Sequence, residues 1–346
     1  MHMANGMTLT RFLADWQAQD IVHPPVAAAL TAIANAGMII AARIARGSLD
    51  ENPAAKTGPS GGGDAQIAID IWSNEILAEA LRAAGVAAIA SEELETPRHY
   101  AGGSGIVVSL DPLDGSSNVD TNVSIGTIFS ILPALPDLDE SFLQPGKNQL
   151  AAGYVIYGPQ TSLVLTIGDG TQIFTLDAEA QGFILTNGDV RVPMKSNEYA
   201  INASNYRHWS DQIRAYIDDC ISGTDGPREA DVNMRWIASL VAECHRILMR
   251  GGVFLYPRDS RRGYEKGRLR LCYEANPIAF LIEQAGGKAF DGRMRIMDLV
   301  PTGIHQRVPL MMGSSEEIDR IARYTTDPGI VVARAPLFHR RGLFKS

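Results

Sequence analysis

The run Asp111-Pro112-Leu113-Asp114-Gly115-Ser116-Ser117-Asn118-Val119-Asp120 sets two carboxylates three residues apart, directly before small and hydroxylated residues. Carboxylates are hard oxygen ligands suited to Mg²⁺, and the backbone N–H groups of Gly115, Ser116 and Ser117 can converge on phosphate oxygens. The pattern therefore joins a metal site to a phosphate cradle. Glycine permits close backbone approach, and the hydroxyls add donors. An ordinary turn uses Asp, Gly and Ser for geometry alone, so the flanking residues decide. Upstream, Gly105-Ile106-Val107-Val108-Ser109-Leu110 is apolar and β-branched, which reads as a buried strand whose carboxyl end delivers Asp111 and Asp114. Open α/β sheets bind ligands at that edge.

Further acids follow the same logic. Asp64 closes the glycine-rich loop Lys56-Thr57-Gly58-Pro59-Ser60-Gly61-Gly62-Gly63, and Asp70 falls inside a helical pattern from Gln66 to Ala84. Glu92 and Glu93 follow the apolar run Val86 to Ala90, and Glu274 lies in Tyr273-Glu274-Ala275-Asn276-Pro277 beside a strand end. Each acid alone reads as a solvated surface group. Taken in order with Asp111 to Asp120, they resemble the signature of the class I fructose-1,6-bisphosphatases, within the lithium-sensitive Mg²⁺-dependent phosphatases. The resemblance runs from about Val26 to Ile321. It implies an α/β fold of the sugar phosphatase type, a five-layer α-β-α-β-α sandwich.

The resemblance also implies roles. Glu92, Asp111, Asp114, Glu274 and the Leu113 carbonyl would hold Mg²⁺, with Mn²⁺ or Zn²⁺ as substitutes, and Asp64 would serve a loop-dependent additional site. Asp70 and Glu93 would position and deprotonate the attacking water for direct in-line transfer. Gly115, Ser116 and Ser117 would cradle the reacting phosphate, with Arg270 near it. Asn202, Tyr206 and Tyr256 would take the 6-phosphate, and Arg268 would bind substrate. Arg235 would reach the phosphate of a neighbouring subunit's site in a homotetramer. The implied reaction converts D-fructose 1,6-bisphosphate to D-fructose 6-phosphate and phosphate, in gluconeogenesis or the Calvin cycle.

Three departures stand out. Arg268 replaces the family's lysine, and a guanidinium still binds phosphate, as a fork rather than a point charge. Trp236 stands where the family has a tyrosine hydroxyl. The segment Arg258 to Lys266 is longer and more basic than usual. AMP-regulated relatives also carry a loop of backbone donors before the first long helix, where this chain has Pro24-Pro25, and a Lys-Tyr pair where it has Gly105-Ile106. The alternatives are a sedoheptulose-1,7-bisphosphatase, or a dual-specificity enzyme, and more distantly a catalytically silent sugar-phosphate-binding regulator. An inositol-type monophosphatase fits less well, since its signature has Asp-Gly-Thr.

The elements that must position these residues alternate along a chain of 346 residues, 45% of them hydrophobic. Helices are expected over Pro25 to Arg46, Gln66 to Ala84, His208 to Ile221, Asn233 to Met249 and Pro277 to Ala285. Strands are expected over Val86 to Ala90, Ser124 to Pro133, Gly153 to Tyr157, Ser162 to Ile167, Gln172 to Leu176, Gly252 to Tyr256 and Gly267 to Tyr273. A soft boundary near residue 190 divides an N-terminal domain (1–190), with most catalytic carboxylates and an altered effector region, from a C-terminal sugar-phosphate-binding domain (191–346). A net charge of −8 disfavours nonspecific nucleic-acid binding. Cys220, Cys244 and Cys272 lack metal-ligand spacing, and Cys244 falls on an apolar helical face, so a reducing cytoplasm without disulfides is expected. The uncharged stretch Ile21 to Ala42 is too polar to be expected to span a membrane, and no basic-then-apolar pattern near the first residues supports the expectation of a secretory signal.

Overall fold

The structure, a computed structural model, describes residues 6–49, 56–59 and 65–326. Helices among them are α1 (Leu9–Gln17), α2 (His23–Arg46), α3 (Ala68–Ala83), α4 (Asp211–Ser222), α5 (Leu240–Arg250), α6 (Asn276–Gln284) and α7 (Ser315–Thr326). Two short strands, β1 (Lys56–Pro59) and β2 (Ala65–Ile67), pair antiparallel ahead of α3. The larger sheet holds β3 (Val86–Ser91), β4 (Arg98–His99), β5 (Ser104–Asp114), β6 (Ile125–Pro133), β7 (Ala151–Tyr157), β8 (Thr161–Thr166), β9 (Gln172–Asp177) and β10 (Gly182–Asn187). Its order is β10-β9-β8-β7-β6-β5-β3-β4, and only the β3/β5 pair, one strand in from the β4 edge, is parallel.

The second sheet is smaller. It combines β11 (Glu198–Ala200), β12 (Asn233–Met234), β13 (Val253–Tyr256), β15 (Lys288–Phe290) and β17 (Leu310–Gly313) in the order β12-β11-β13-β17-β15. A separate pair joins β14 (Leu269–Arg270) to β16 (Arg307–Val308).

Side-chain alternation turns these sheets into layers, because successive residues of a strand face opposite sides. Val108, Phe129, Val155 and Leu163 of the larger sheet pack with Leu30, Ile33, Leu77 and Leu81 of α2 and α3. Ile128, Tyr154 and Val164 on its other face pack with α5 and α6, which also cover Phe254 and Met312 of the second sheet. Val253, Leu255 and Met311 point the opposite way, onto Ile213 and Tyr216 of α4 and Ile318 and Ile321 of α7. The result is the five-layer α-β-α-β-α sandwich expected. Each large apolar side chain so buried contributes about 1.5–3 kcal/mol. α2 is long and apolar enough to cross a membrane, yet half of its apolar window is buried inside the protein, with Val26, Leu30, Ile33 and Ile40 in the core. It serves here as a core helix.

Two expected elements differ. The helix anticipated over Asn233 to Met249 begins only at Leu240, because Asn233–Met234 pairs with β11 and Ala238 takes a left-handed φ of 62°. Ser239 then caps the helix, its side chain accepting from Ala242 N–H. The strand anticipated over Gly267 to Tyr273 is confined to Leu269–Arg270, after which Leu271–Ala275 coils into a π-helical turn. Within the glycine-rich loop, Lys56–Pro59 is strand, and residues 60–64 lie outside the described residues.

Candidate active site

β5 brings Asp111 and Asp114 to the sheet edge on either side of a bulge. Asp111 pairs with Ile128 and Asp114 with Gly126, so Pro112 and Leu113 fall where the register slips. Bulges re-aim side chains, and here two carboxylates three residues apart come to face one place. Glu274 joins them from the π-helical turn before α6, a distortion frequent at functional sites. Oxygens of Asp111, Asp114 and Glu274 lie within 4.8 Å of one another, and all three residues are buried.

Each carboxylate is held by a local donor. Asp111 Oδ1 accepts the Leu113 N–H at 3.0 Å, and Glu274 Oε2 accepts the Arg270 N–H. Asp114 Oδ2 takes the Val241 N–H at 2.9 Å and the Ser239 hydroxyl at 3.2 Å. Val241 lies in the first turn of α5, so Asp114 sits where free N–H groups and the helix dipole favour negative charge. Even so, burial dominates. It raises the Asp111 and Glu274 carboxyls well above their ordinary range, with the charge of Glu92 adding to each, and raises Asp114 to about 6. Carboxylates that resist joint ionisation, and offer only oxygen, fit a hard divalent cation.

Glu92 follows β3, its N–H donating to the Leu110 carbonyl, and its Oε1 lies 4.0 Å from Arg270 Nη2. Arg270 is itself buried. Glu93 is half-buried beside it, its N–H donating to the Ser91 hydroxyl. Asp70, in the first turn of α3, accepts the Ile67 N–H at 3.0 Å. Burial lifts its carboxyl to about 6, the Ile67 N–H and Ser116 hydroxyl oppose this, and the Glu92 charge reinforces it. Asp64 lies outside the described residues.

The turn expected to cradle phosphate starts at Gly115, whose φ of 75° suits glycine and which packs so closely on Ser239 that a Cβ would come within 3.2 Å of it. Ser116 and Ser117 open the 3₁₀ turn Ser116–Thr121. Asn118 Nδ2 donates to the Ala238 carbonyl at 2.9 Å, which ties the cradle to the approach of α5.

The residues expected to meet the sugar phosphate are placed unequally. Tyr256 belongs to an aromatic group in which Trp236 stacks on Phe254, with centroids 5.9 Å apart, and meets Tyr256 edge-on. The Arg268 guanidinium lies 4.7 Å from the Tyr264 ring centroid, and its charge also acts on the Tyr256 phenol. Asn202 caps the 3₁₀ turn Ala203–His208 through the Ser204 N–H. The Tyr206 hydroxyl donates to Asp218 of α4 at 2.8 Å, and its ring meets Trp209. Arg261 of the basic segment is paired with Asp259 and stacked on Tyr264. Arg235 donates from Nε to Glu198. Ser239 and Val241 are not among the residues that motif and spacing single out. Ser239 carries a cap signal, a serine just before an apolar helical run, but apolar periodicity runs through it into the helix expected from Asn233.

Comparison with known proteins decides the family. Residues 7–188 match the family described as "Fructose-1-6-bisphosphatase, N-terminal domain", and residues 192–326 match "Fructose-1-6-bisphosphatase, C-terminal domain". The class 1 fructose-1,6-bisphosphatase of Rhizobium meliloti (strain 1021) is 52% identical over 99% of this chain and 100% of its own length. The chain belongs to the class 1 fructose-1,6-bisphosphatases. One from Xanthobacter autotrophicus is 51% identical over 99% of this chain and 93% of its own. Among solved structures, Leishmania major fructose-1,6-bisphosphatase in holo form superposes with a TM-score of 0.86 at 32% identity, covering 93% of this chain and 99% of that one. Divalent-metal dependence is general to fructose-1,6-bisphosphatases, and the buried acid cluster fits it.

Proposed function

We propose that this protein hydrolyses the 1-phosphate of D-fructose 1,6-bisphosphate, giving D-fructose 6-phosphate and phosphate, and that Mg²⁺ is its metal. The observation that carries the reading is the convergence of Asp111, Asp114 and Glu274 within 4.8 Å at the end of β5, with the Gly115 cradle immediately after. Glu92, Asp111, Asp114, Glu274 and the Leu113 carbonyl would hold the ions, Asp64 contributing at a further site. A divalent cation there supplies charge neutralisation and acidifies water.

The chain's own groups do the rest. Asp70, raised to about 6, is matched to taking a proton from water near neutral pH, and Glu93 shares that task. Gly115, Ser116 and Ser117 hold the reacting phosphate with their N–H and hydroxyl donors, and the buried Arg270 adds positive charge beside Glu92. Arg268, Tyr256 and Asn202 take the distal phosphate and sugar. Arg235 reaches a neighbouring subunit's site in a homotetramer, and the buried, unpaired cysteines suit work in the cytoplasm. The two catalytic halves divide near residue 190, each built on its own sheet.

Phosphate release from fructose 1,6-bisphosphate, sedoheptulose 1,7-bisphosphate and inositol 1-phosphate, with and without Mg²⁺, tests the reading. Fastest release from the fructose ester, abolished by chelation, is expected. Preference for the sedoheptulose ester would overturn the substrate, and metal-independent turnover would overturn the site.

A further inference from the structure

A row of alternating charges runs from the interior of the C-terminal half out to Arg235. Glu243, on α5, is fully buried, and its Oε2 accepts from Arg246 Nε at 3.2 Å and Nη2 at 3.1 Å. Arg246 Nη1 donates at 2.8 Å to Oε2 of Glu198, the first residue of β11. Glu198 turns its other oxygen, Oε1, to Arg235 Nε at 3.2 Å. Side-chain exposure climbs along the row from 0% at Glu243 to 10%, 18% and finally 49% at Arg235. Only the last group reaches solvent freely.

The way Arg235 is gripped matters more than the pairing. Glu198 occupies Nε, while Nη1 and Nη2 make no hydrogen bond among the described residues, so the fork that binds phosphate bidentately faces outward. The backbone fixes the same residue, since the Arg235 N–H donates to the Tyr199 carbonyl of β11 at 2.7 Å. Room for the row is built in at Gly252. A Cβ there would lie 3.0 Å from Arg246 Nη1 and from the Glu198 carbonyl oxygen. The row also meets the metal side of the site: Glu243 Oε1 accepts the Ile237 N–H, two residues before the Ser239 that holds Asp114.

We propose that Glu198 and Arg246 are positioning residues that aim the Arg235 fork at the substrate's distal phosphate. The inference rests on the reading of Arg235 as a phosphate ligand and adds how its geometry is set. A carboxylate next to a phosphate-binding arginine is unfavourable by charge alone, because it repels the incoming dianion. Glu198 lowers the electrostatic attraction and supplies orientation, so the two effects have opposite signs in experiment. That opposition makes the proposal testable at one residue.

In Glu198→Gln the amide oxygen can face only one of the two arginines, and the other meets an NH₂ donor. Loss of the aim should raise KM for fructose 1,6-bisphosphate about tenfold, the worth of one hydrogen bond to a charged group, with kcat within about twofold. Glu198→Asp should recover part of the loss. An unchanged or lower KM in Glu198→Gln, the result charge alone gives, overturns the proposal. Arg235→Gln separates this from the underlying reading: if its KM is normal, Arg235 does not bind phosphate, whereas a raised KM there beside a normal one in Glu198→Gln defeats the positioning role alone. The double variant should be no worse than Arg235→Gln, since Glu198 acts through Arg235. Additive losses would mean a general structural role. Should Glu198→Gln fail to fold, Arg246→Lys keeps the charge, removes the two-pronged hold on Glu243 and Glu198, and is expected to raise KM in the same way; a normal KM there overturns the proposal equally.

Discussion

At the scale of residues, folding forces acids toward the protonated form, and a metal must reverse this. Asp70 rises from 3.8 to about 6 and Asp114 likewise, while Asp111 and Glu274 go well above their ordinary range. For an acid whose carboxyl is raised on folding, the unfolded chain loses its proton first. Between about pH 4 and pH 6 the folded state therefore binds more protons, and metal-free stability falls as pH rises through that window. Holding Asp70 ionised at pH 7 costs about 3 kcal/mol by this measure. Chelated protein should thus melt lower at pH 7 than at pH 5, and Asp70→Asn should remove part of the slope while abolishing most activity. The Tm gain from Mg²⁺ should be larger at pH 8 than at pH 5, because the ligands must lose protons to bind. A Mg²⁺ effect independent of pH would show that these carboxylates are already ionised in the apoprotein. Asp111→Asn keeps the shape of the side chain and deletes one ligand charge. It should lower kcat at least 100-fold, about the upper end of what losing an outer partner of a metal ligand costs, and near-normal turnover at saturating Mg²⁺ would remove Asp111 from the metal set.

At the scale of elements, the approach to α5 decides how well Asp114 is held. Ala238 is exposed and left-handed, at φ 62°, and its carbonyl and its successor serve the cradle and the carboxylate in turn. A β-branched residue at positive φ is strained by about 1–2 kcal/mol or more, with no packing change to confuse the result at an exposed position. Ala238→Val should therefore lower Tm and raise the Mg²⁺ concentration needed for half-maximal activity, whereas Ala238→Gly should leave both close to the parent. Equal behaviour of the two variants would show that this turn does not set the Ser239 cap. The same turn marks a limit of what the sequence discloses. Ile237, Leu240, Val241, Cys244 and Leu248 share one helical period, so periodicity extends the helix backwards, and nothing local in Ala238 announces a left-handed residue. The strand that delivers Asp111 and Asp114 and the turn after it were legible because strand, bulge and loop are contiguous. Glu274 stood out in the sequence as one of the acids that converge with them, yet its π-helical turn did not. The hold on Asp114 by Ser239 and Val241, 125 and 127 residues away, and the Glu198 to Arg246 pair, 48 residues apart, depend on packing between elements that no short pattern records.

At the scale of the whole molecule, layering was legible from alternating strands and helices, while subunit and effector behaviour must be argued from surfaces. If Arg235 completes a neighbour's pocket, hybrids of Arg235→Ala and Asp111→Asn subunits should regain a fraction of activity that neither parent has, because each site draws its acids and its arginine from different chains. Silent mixed oligomers would confine Arg235 to its own subunit. The effector question turns on the opposite end of the chain. A cavity of about 540 Å³ lies among α1, α2 and α3, lined by Thr10, Gln17, Pro24, Thr31, Asn35 and several alanines, with no lysine or arginine among the described residues that line it. α2 opens with Pro24 and Pro25 in its first turn, where free N–H groups would otherwise face an anion, and no side chain caps it. Among the described residues, a nucleotide monophosphate placed there finds neither free backbone donors at the start of α2 nor a cation in the cavity lining for its phosphate, and an uncompensated dianion against apolar walls is costly. AMP should therefore inhibit weakly or not at all in an assay saturated with Mg²⁺ and fructose 1,6-bisphosphate. Placing a lysine at Thr31 or Asn35, both on the α2 side of that cavity, should raise affinity for AMP if the missing cation is the cause. Cooperative inhibition of the parent protein by micromolar AMP would show instead that the nucleotide binds through groups elsewhere and that Pro24 and Pro25 do not exclude it.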